Sequence, residues 1–90
     1  MIEELKIEYV NLMLEEPKDG ILYISEEYKV AIHLCACGCK QKTVTPLGAG
    51  EWTLIKNGEL VSLSPSIGNF NGENPYHAHY FIRDNKIVWC

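Results

Sequence analysis

The sequence predicts a mainly β fold, in which residues 1–90 form one small domain of short antiparallel strands and hairpins. Short runs of apolar and β-branched residues recur along the chain, and turn-forming residues separate them. No segment keeps the 3.6-residue period of an amphipathic helix over a normal helical length. Short strands with frequent turn signals are typical of small all-β domains.

The candidate strands follow one another along the whole chain. Residues 5–9 alternate apolar and polar side chains as a strand would, and residues 10–14 then lose that period. The later candidate strands are residues 21–24, 28–35, 41–45, 52–55, 60–63, 78–82 and 87–89. Asn57 and Gly58 between two apolar runs predict a hairpin with a type I′ turn. Residues 64–74, rich in Ser, Pro, Gly and Asn, predict an irregular segment.

Charge and composition limit the class of partner. The 90 residues carry a net charge of −4, and no cluster of basic residues exceeds two. We therefore expect neither nucleic acid nor an anionic membrane as the main partner. The N-terminus lacks the features of a signal peptide, and no apolar run approaches the roughly 20 residues that cross a bilayer. We expect a cytoplasmic protein with reduced thiols.

Three of the four cysteines lie within five residues, at Cys35, Cys37 and Cys39. On a straight strand alternate sulfurs would stand about 6.6 Å apart, too far for tetrahedral zinc with Zn–S bonds of about 2.3 Å. The backbone must therefore bend, and Gly38 is the residue that bends without strain. The run predicts a metal-binding knuckle. The alternative is three small core residues, whereas a disulfide within the run is disfavoured by the geometry of Cys-x-Cys.

His77 and His79 are further candidate ligands, because residues two apart on a strand face the same way. With the three cysteines they offer five candidate ligands for the four positions of a zinc site. We favour His77 as the ligand, since it lies nearer the preceding turn. His79 then remains for catalysis or for a hydrogen-bonded structural role.

Ser66 lies in a bend-forming run of Ser, Pro and Gly. A serine nucleophile needs a base and backbone N–H groups that stabilise the oxyanion. Gly68 and Asn69 are candidate donors, and His79 or His33 is the candidate base. The match to Gly-x-Ser-x-Gly is partial, because a serine replaces the first glycine. Serines beside Pro and Gly commonly form turns, so this spacing alone does not establish an enzyme.

The motifs occur in the order Leu22-Tyr23-Ile24-Ser25, His33-Leu34-Cys35-Ala36-Cys37-Gly38-Cys39, Trp52, Ser62-Leu63-Ser64-Pro65-Ser66-Ile67-Gly68-Asn69, His79-Tyr80-Phe81-Ile82 and Trp89. From Gly20 onward, this order resembles a small bacterial family that was long catalogued as a domain of unknown function. Genes of that family lie beside ubiquitin-like conjugation genes in bacterial and phage-defence operons.

The resemblance implies a zinc-bound, mainly β serine peptidase that matures or removes a ubiquitin-like modifier. The resulting hypothesis assigns a structural zinc ion to Cys35, Cys37, Cys39 and His77, and catalytic roles to Ser66, His79 and His33. Ser66 is the nucleophile and His79 its general base, while His33 orients the base or helps to bind the substrate.

The chain departs from the family pattern at two positions. Many relatives carry Cys at the position of Tyr76, so His77 would replace their fourth ligand. Many also carry Ser at the position of Ala78. If that serine is the family's nucleophile, this chain is inactive; if Ser66 is the nucleophile, Ala78 is harmless.

Two other functions stay open at this point. In the first, zinc keeps an open position and activates water, which would make the protein a metallohydrolase. In the second, a non-catalytic zinc module binds a ubiquitin-like partner through a sheet edge or exposed aromatic residues.

Overall fold

The secondary structure of the described residues consists of eight β-strands. The computed structural model describes residues 2–11, 16–71 and 74–90, and the side chains of residues 69–77 lie outside this description. The strands are β1 (Lys6–Tyr9), β2 (Ile21–Ser25), β3 (Val30–Leu34), β4 (Lys42–Pro46), β5 (Thr53–Asn57), β6 (Leu60–Asn71), β7 (Asn74–Arg83) and β8 (Lys86–Trp89). One sheet has the order β1-β2-β3-β4 and the second the order β5-β6-β7-β8.

This all-strand architecture confirms the predicted fold class. Neighbouring strands pair antiparallel except β1 and β2, which are parallel. A parallel pair needs a longer connection than a hairpin, and residues 10–20 supply it. Residues 12–15 of this connection lie outside the described residues, so the ambiguous end of the first candidate strand is untested there. In the described ranges no helix is long and apolar enough to span a membrane.

A hydrophobic core joins the two sheets. It contains side chains from both, among them Leu22, Ile24, Ala31, Val61, Leu63, Tyr80 and Ile82. On β7, every second residue from Ala78 to Ile82 is buried. Because side chains alternate along a strand, His79, Phe81 and Arg83 lie on the opposite side of the second sheet. We call this side the outer face.

Strand β6 extends further than the sequence predicts. The prediction of an irregular segment at residues 64–74 is wrong, since β6 continues to Asn71 and β7 begins at Asn74. The apolar periodicity is lost because the pairing of β6 shifts register within this stretch. Extra residues in one strand interrupt the in-and-out alternation on which a periodicity argument depends.

A β-bulge causes the register shift. Leu63 pairs with Ile82 and Ile67 with Tyr80, so three residues of β6 lie opposite one residue of β7. A bulge bends the strand and changes the direction of its side chains. It also accommodates Pro65, which has no N–H to donate to a neighbouring strand.

The hairpin predicted between β5 and β6 forms, but its turn type differs. Asn57 pairs with Leu60, so the two-residue loop consists of Gly58 and Glu59. Gly58 has a φ of +63°, whereas the φ of Glu59 is not positive. Glycine at the first central position with a single positive φ is typical of type II′. The type I′ prediction is wrong because the strand register includes Asn57 in β5.

The last hairpin, between β7 and β8, has the type I′ pattern. Its central residues Asp84 and Asn85 have φ values of +48° and +67°. Asn85 also fastens the turn to the rest of the fold. Its Oδ1 accepts a hydrogen bond from Val61 N at 2.7 Å, its N–H donates to Val61 O at 2.9 Å, and its carbonyl accepts from Leu5 N at 2.7 Å.

Replacing Asn85 with alanine should destabilise the fold by about 2–3 kcal/mol. A left-handed φ disfavours alanine by about 1–2 kcal/mol, and the Val61 N–H loses its acceptor. Asn85→Gly is the matched control, because it also removes the acceptor but glycine tolerates the positive φ. It should lower the free energy of unfolding by about 1 kcal/mol less than Asn85→Ala does. Urea denaturation monitored by tryptophan fluorescence measures both changes. Equal losses of stability in the two variants would contradict the role of the backbone conformation.

Candidate active site and metal centre

The Cys-x-Cys-Gly-Cys run lies in the connection between β3 and β4. Cys35 N donates to Gln41 O at 2.8 Å and closes this loop at its base. Inside the loop, Gly38 N donates to Cys35 O at 3.1 Å. Gly38 has a φ of +92°, a conformation that residues with a side chain rarely adopt. The bend predicted at Gly38 is therefore confirmed.

This loop, the knuckle, brings three thiols together. The Sγ atoms of Cys35, Cys37 and Cys39 all lie within 4.8 Å of one another, and those of Cys35 and Cys37 are 3.3 Å apart. Tetrahedral coordination with Zn–S bonds of about 2.3 Å places sulfurs about 3.8 Å apart. Cys35 is buried, Cys37 half-buried and Cys39 exposed. The three cysteines can therefore hold a metal ion.

The predicted fourth ligand, His77, lies in β7. Its side chain lies outside the described residues, so the four-ligand site remains a prediction. Another residue of β7 reaches the knuckle, because Ala36 N donates to the hydroxyl of Tyr80 at 3.4 Å. The knuckle and β7 are therefore in contact through Tyr80, which no motif in the sequence marks as functional.

Ser66 and His79 meet across β6 and β7. Ser66 Oγ lies 2.8 Å from His79 Nε2, within the range of about 2.6–3.2 Å expected for a nucleophile and its general base. Ile67 is buried in the core, so Ser66 and Gly68 on either side of it face outward with His79. The bulge lies directly before this stretch and ends where Ile67 pairs with Tyr80, so Ser66 lies diagonally across from His79.

The surroundings of Ser66 and His79 are open. His79 is exposed and Ser66 half-buried. Gly68 lies directly across from His79 on β6 and contributes no side chain. Phe81 follows His79 along the outer face, with Val88 opposite it on β8. The pair can therefore meet a substrate that lies across the sheet.

His33 occupies a different environment from this pair. It is fully buried on β3, and its Nε2 lies 2.6 Å from the hydroxyl of Tyr80. Burial lowers the pKa of His33 to about 4, so the ring is neutral at pH 7. Its Nδ1 has no hydrogen-bond partner among the described residues. Tyr80 faces the core and His79 the outer face, so the second sheet separates His33 from His79.

Ala78 also faces the core, where it is 3 % exposed. Because Ala78 and His79 are consecutive strand residues, their side chains point to opposite faces. A serine at position 78 would therefore point away from His79. In this register, the hydroxyl group that reaches the exposed histidine comes from Ser66.

A sequence profile of one protein family matches residues 9–90, and its description is bacterial ubiquitination-like system serine protease, BubE. The chain belongs to the BubE family. The family resemblance seen in the motifs is thereby confirmed. No significant match was found among curated proteins or among solved structures.

Membership of the BubE family makes the environment of each serine informative. Ser25 Oγ accepts a hydrogen bond from Tyr28 N in a turn, and Ser62 Oγ accepts one from Asp84 N. Among the serine hydroxyls of the described chain, that of Ser66 is the one bonded to a histidine. The family description names a serine protease in general.

Cys37→Ser should lower the metal content of the purified protein, because the replacement removes one of three clustered thiolates. Cys90→Ser is the matched control, since Cys90 lies outside the cluster, and it should retain the metal. Native mass spectrometry with metal analysis gives the ratio of metal to chain. Equal metal content in the two variants would contradict coordination by the knuckle.

Proposed function

We propose that this chain is a zinc-stabilised serine peptidase that processes or removes a ubiquitin-like modifier in a bacterial conjugation and defence system. The observation that carries the proposal is the 2.8 Å contact between Ser66 Oγ and His79 Nε2 in a member of the BubE family. Ser66 is the nucleophile and His79 its general base.

The two residues support an acyl-transfer mechanism. With the proton of the neutral ring on Nδ1, His79 Nε2 accepts the hydroxyl proton as Ser66 Oγ attacks the scissile carbonyl carbon. The carbonyl π electrons move onto oxygen and form the tetrahedral oxyanion. His79 then returns the proton to the leaving nitrogen as the C–N bond breaks, which leaves an ester on Ser66. A water molecule, deprotonated by the same ring, attacks that ester, and the ring returns the proton to Ser66 Oγ as the C–O bond breaks and the carboxylic acid product leaves.

The oxyanion needs a backbone donor beside Ser66. His79 O accepts from the N–H of Cys90, which directly follows β8, and a strand residue directs its N–H and C=O to the same neighbour. Gly68 and His79 are therefore a non-hydrogen-bonded pair, and the Gly68 N–H points away from β7. β5 does not cover that side, because its last pair with β6 joins Thr53 and Ser64. We assign the Gly68 N–H as the donor.

The outer face suits a macromolecular substrate. It exposes three apolar side chains, Ile55 at 48 %, Leu60 at 41 % and Val88 at 39 %. Apolar side chains that are exposed on one face of a sheet can contribute to an interaction surface. A flexible tail of a ubiquitin-like protein can lie across this open sheet and present a carbonyl group to Ser66.

The proposed metal ligands are Cys35, Cys37, Cys39 and His77. Thiolate and imidazole ligands that fill all four positions favour zinc in a structural role, which would stabilise the fold without activating water. Tyr80 links this centre to the active site, because its hydroxyl contacts both Ala36 N and His33 Nε2. We propose that His33 positions the strand that carries His79 from the core side, through Tyr80.

Ser66→Ala should reduce kcat/KM by about 10³-fold or more, because the variant lacks the attacking oxygen. The substrate is a bacterial ubiquitin-like modifier with a C-terminal extension, and mass spectrometry detects the cleaved product. Ser64→Ala is the matched control two residues away, and it should retain activity. Metal content and circular dichroism should be unchanged in both variants.

Two results would overturn the proposal. Cleavage that survives Ser66→Ala but stops when a chelator removes the metal from a folded protein would indicate a metallohydrolase. Binding of the modifier without cleavage by the wild-type chain would indicate a non-catalytic module.

A further inference from the structure

Arg83 is the one arginine of the sequence, and it lies on the outer face with Ser66 and His79. It follows His79 and Phe81 at alternate positions of β7. Its guanidinium carbon lies 4.3 Å from the centroid of the Phe81 ring. Stacking of this kind restricts a side chain that otherwise samples many rotamers. Arg83 is therefore held in a defined place near the candidate active site.

No acidic side chain neutralises Arg83 in the part of the chain that the structure describes. The ion pairs found there are Lys40 with Asp19 and Lys56 with Glu26. The residue directly across from Arg83 is another cation, Lys86, and like charges in that arrangement are destabilising. Glu4 lies on the far side of Lys86 and forms an ion pair with neither cation. Among the described residues, an acidic chain with a net charge of −4 thus leaves its arginine without a counterion.

The chemistry of the group indicates what it binds. A guanidinium group has a planar fork of N–H donors that matches a carboxylate with two parallel hydrogen bonds. The guanidinium group lies over the Phe81 ring and forms no ion pair with another described residue, so its N–H donors remain available to a ligand. A lysine ammonium would provide charge there without this geometric match.

The position of Arg83 determines how far from the cleaved bond a carboxylate on the substrate would bind. Two residues of a strand span about 6.8 Å, and the guanidinium group leans back over Phe81, two residues from His79. An extended peptide on the outer face advances about 3.3 Å per residue. A group two or three residues from the attacked carbonyl therefore reaches the guanidinium group.

We propose that Arg83 is a specificity-determining residue that binds a carboxylate of the substrate two or three residues from the cleaved bond. This inference rests on the proposed peptidase function, because Ser66 and His79 define where cleavage occurs. The carboxylate belongs either to an acidic side chain or to the end of the substrate chain.

The test uses neutral decapeptides with blocked termini, each carrying one aspartate at a different position. The wild-type chain should cleave best, by about tenfold in kcat/KM, when the aspartate lies two or three residues from the cut. Arg83→Glu should reverse the preference in favour of lysine at that position. Lys42→Glu changes an exposed cation of the other sheet by the same charge, and it should keep the aspartate preference. If a neutral peptide with a free C-terminus is cleaved near its end as well as the best aspartate peptide is cleaved, the bound carboxylate is the terminus of the substrate chain.

Peptide binding to the Ser66→Ala variant, measured by fluorescence anisotropy, tests the carboxylate site independently of the proposed peptidase function. Cleavage without an aspartate preference, or a preference that persists in Arg83→Glu, overturns the inference and leaves the peptidase intact. If the wild-type chain cleaves no peptide, the proposed peptidase function is wrong. The carboxylate site is still supported if Ser66→Ala binds the aspartate peptides and the double variant with Arg83→Glu does not. Absence of both cleavage and charge-dependent binding overturns both.

Discussion

The buried hydrogen bond between Tyr80 and His33 is the contact on which the rest of the structure depends. It joins the second sheet to the first, and it satisfies a phenol hydroxyl that would be costly to bury alone. Burying Tyr80 fixes the register of β7, because a slip by one residue would exchange its two faces. His79 would then enter the core and Tyr80 would face outward. The exposed position of the candidate base therefore follows from a core contact on the opposite side of the strand.

The candidate active site arises where a regular sheet becomes irregular. With β7 fixed by its buried residues, β6 accommodates Pro65 and the extra residues around it as a bulge. A regular ladder continued from the pair of Leu63 and Ile82 would place Ser66 directly opposite His79, whereas the observed register pairs Gly68 with His79. The bulge ends at Ile67, whose burial turns Ser66 outward. The bulge thus leaves Gly68, which has no side chain, opposite His79, and Ser66 contacts the histidine from a diagonal position.

In the proposed function, the cysteine cluster contributes stability and the Ser66–His79 pair contributes chemistry, and the two lie in different parts of the fold. The cysteines extend the end of β3, whereas the pair lies on the outer face of the second sheet. A chain of 90 residues buries a limited core, so metal coordination at the cysteine cluster would supply a substantial part of its stability. Tyr80 touches both regions through Ala36 and His33. A metal ion that rigidifies the knuckle would therefore also restrain β7 through Tyr80, although it would not contact the reacting atoms.

The sequence by itself determined the family, through the order of its motifs, and also local features: most of the strands, the hairpin near Gly58, the bend at Gly38 and the cysteine cluster. Each depends on alternation, turn chemistry or spacing within a few residues. Only the tertiary structure decided which histidine meets Ser66, because His33 and His79 both lie in apolar strands with similar patterns. Periodicity states which residues share a face, but it does not state which strands pair or in what register. The bulge and the burial of Tyr80 supply that information, and both depend on residues distant in sequence.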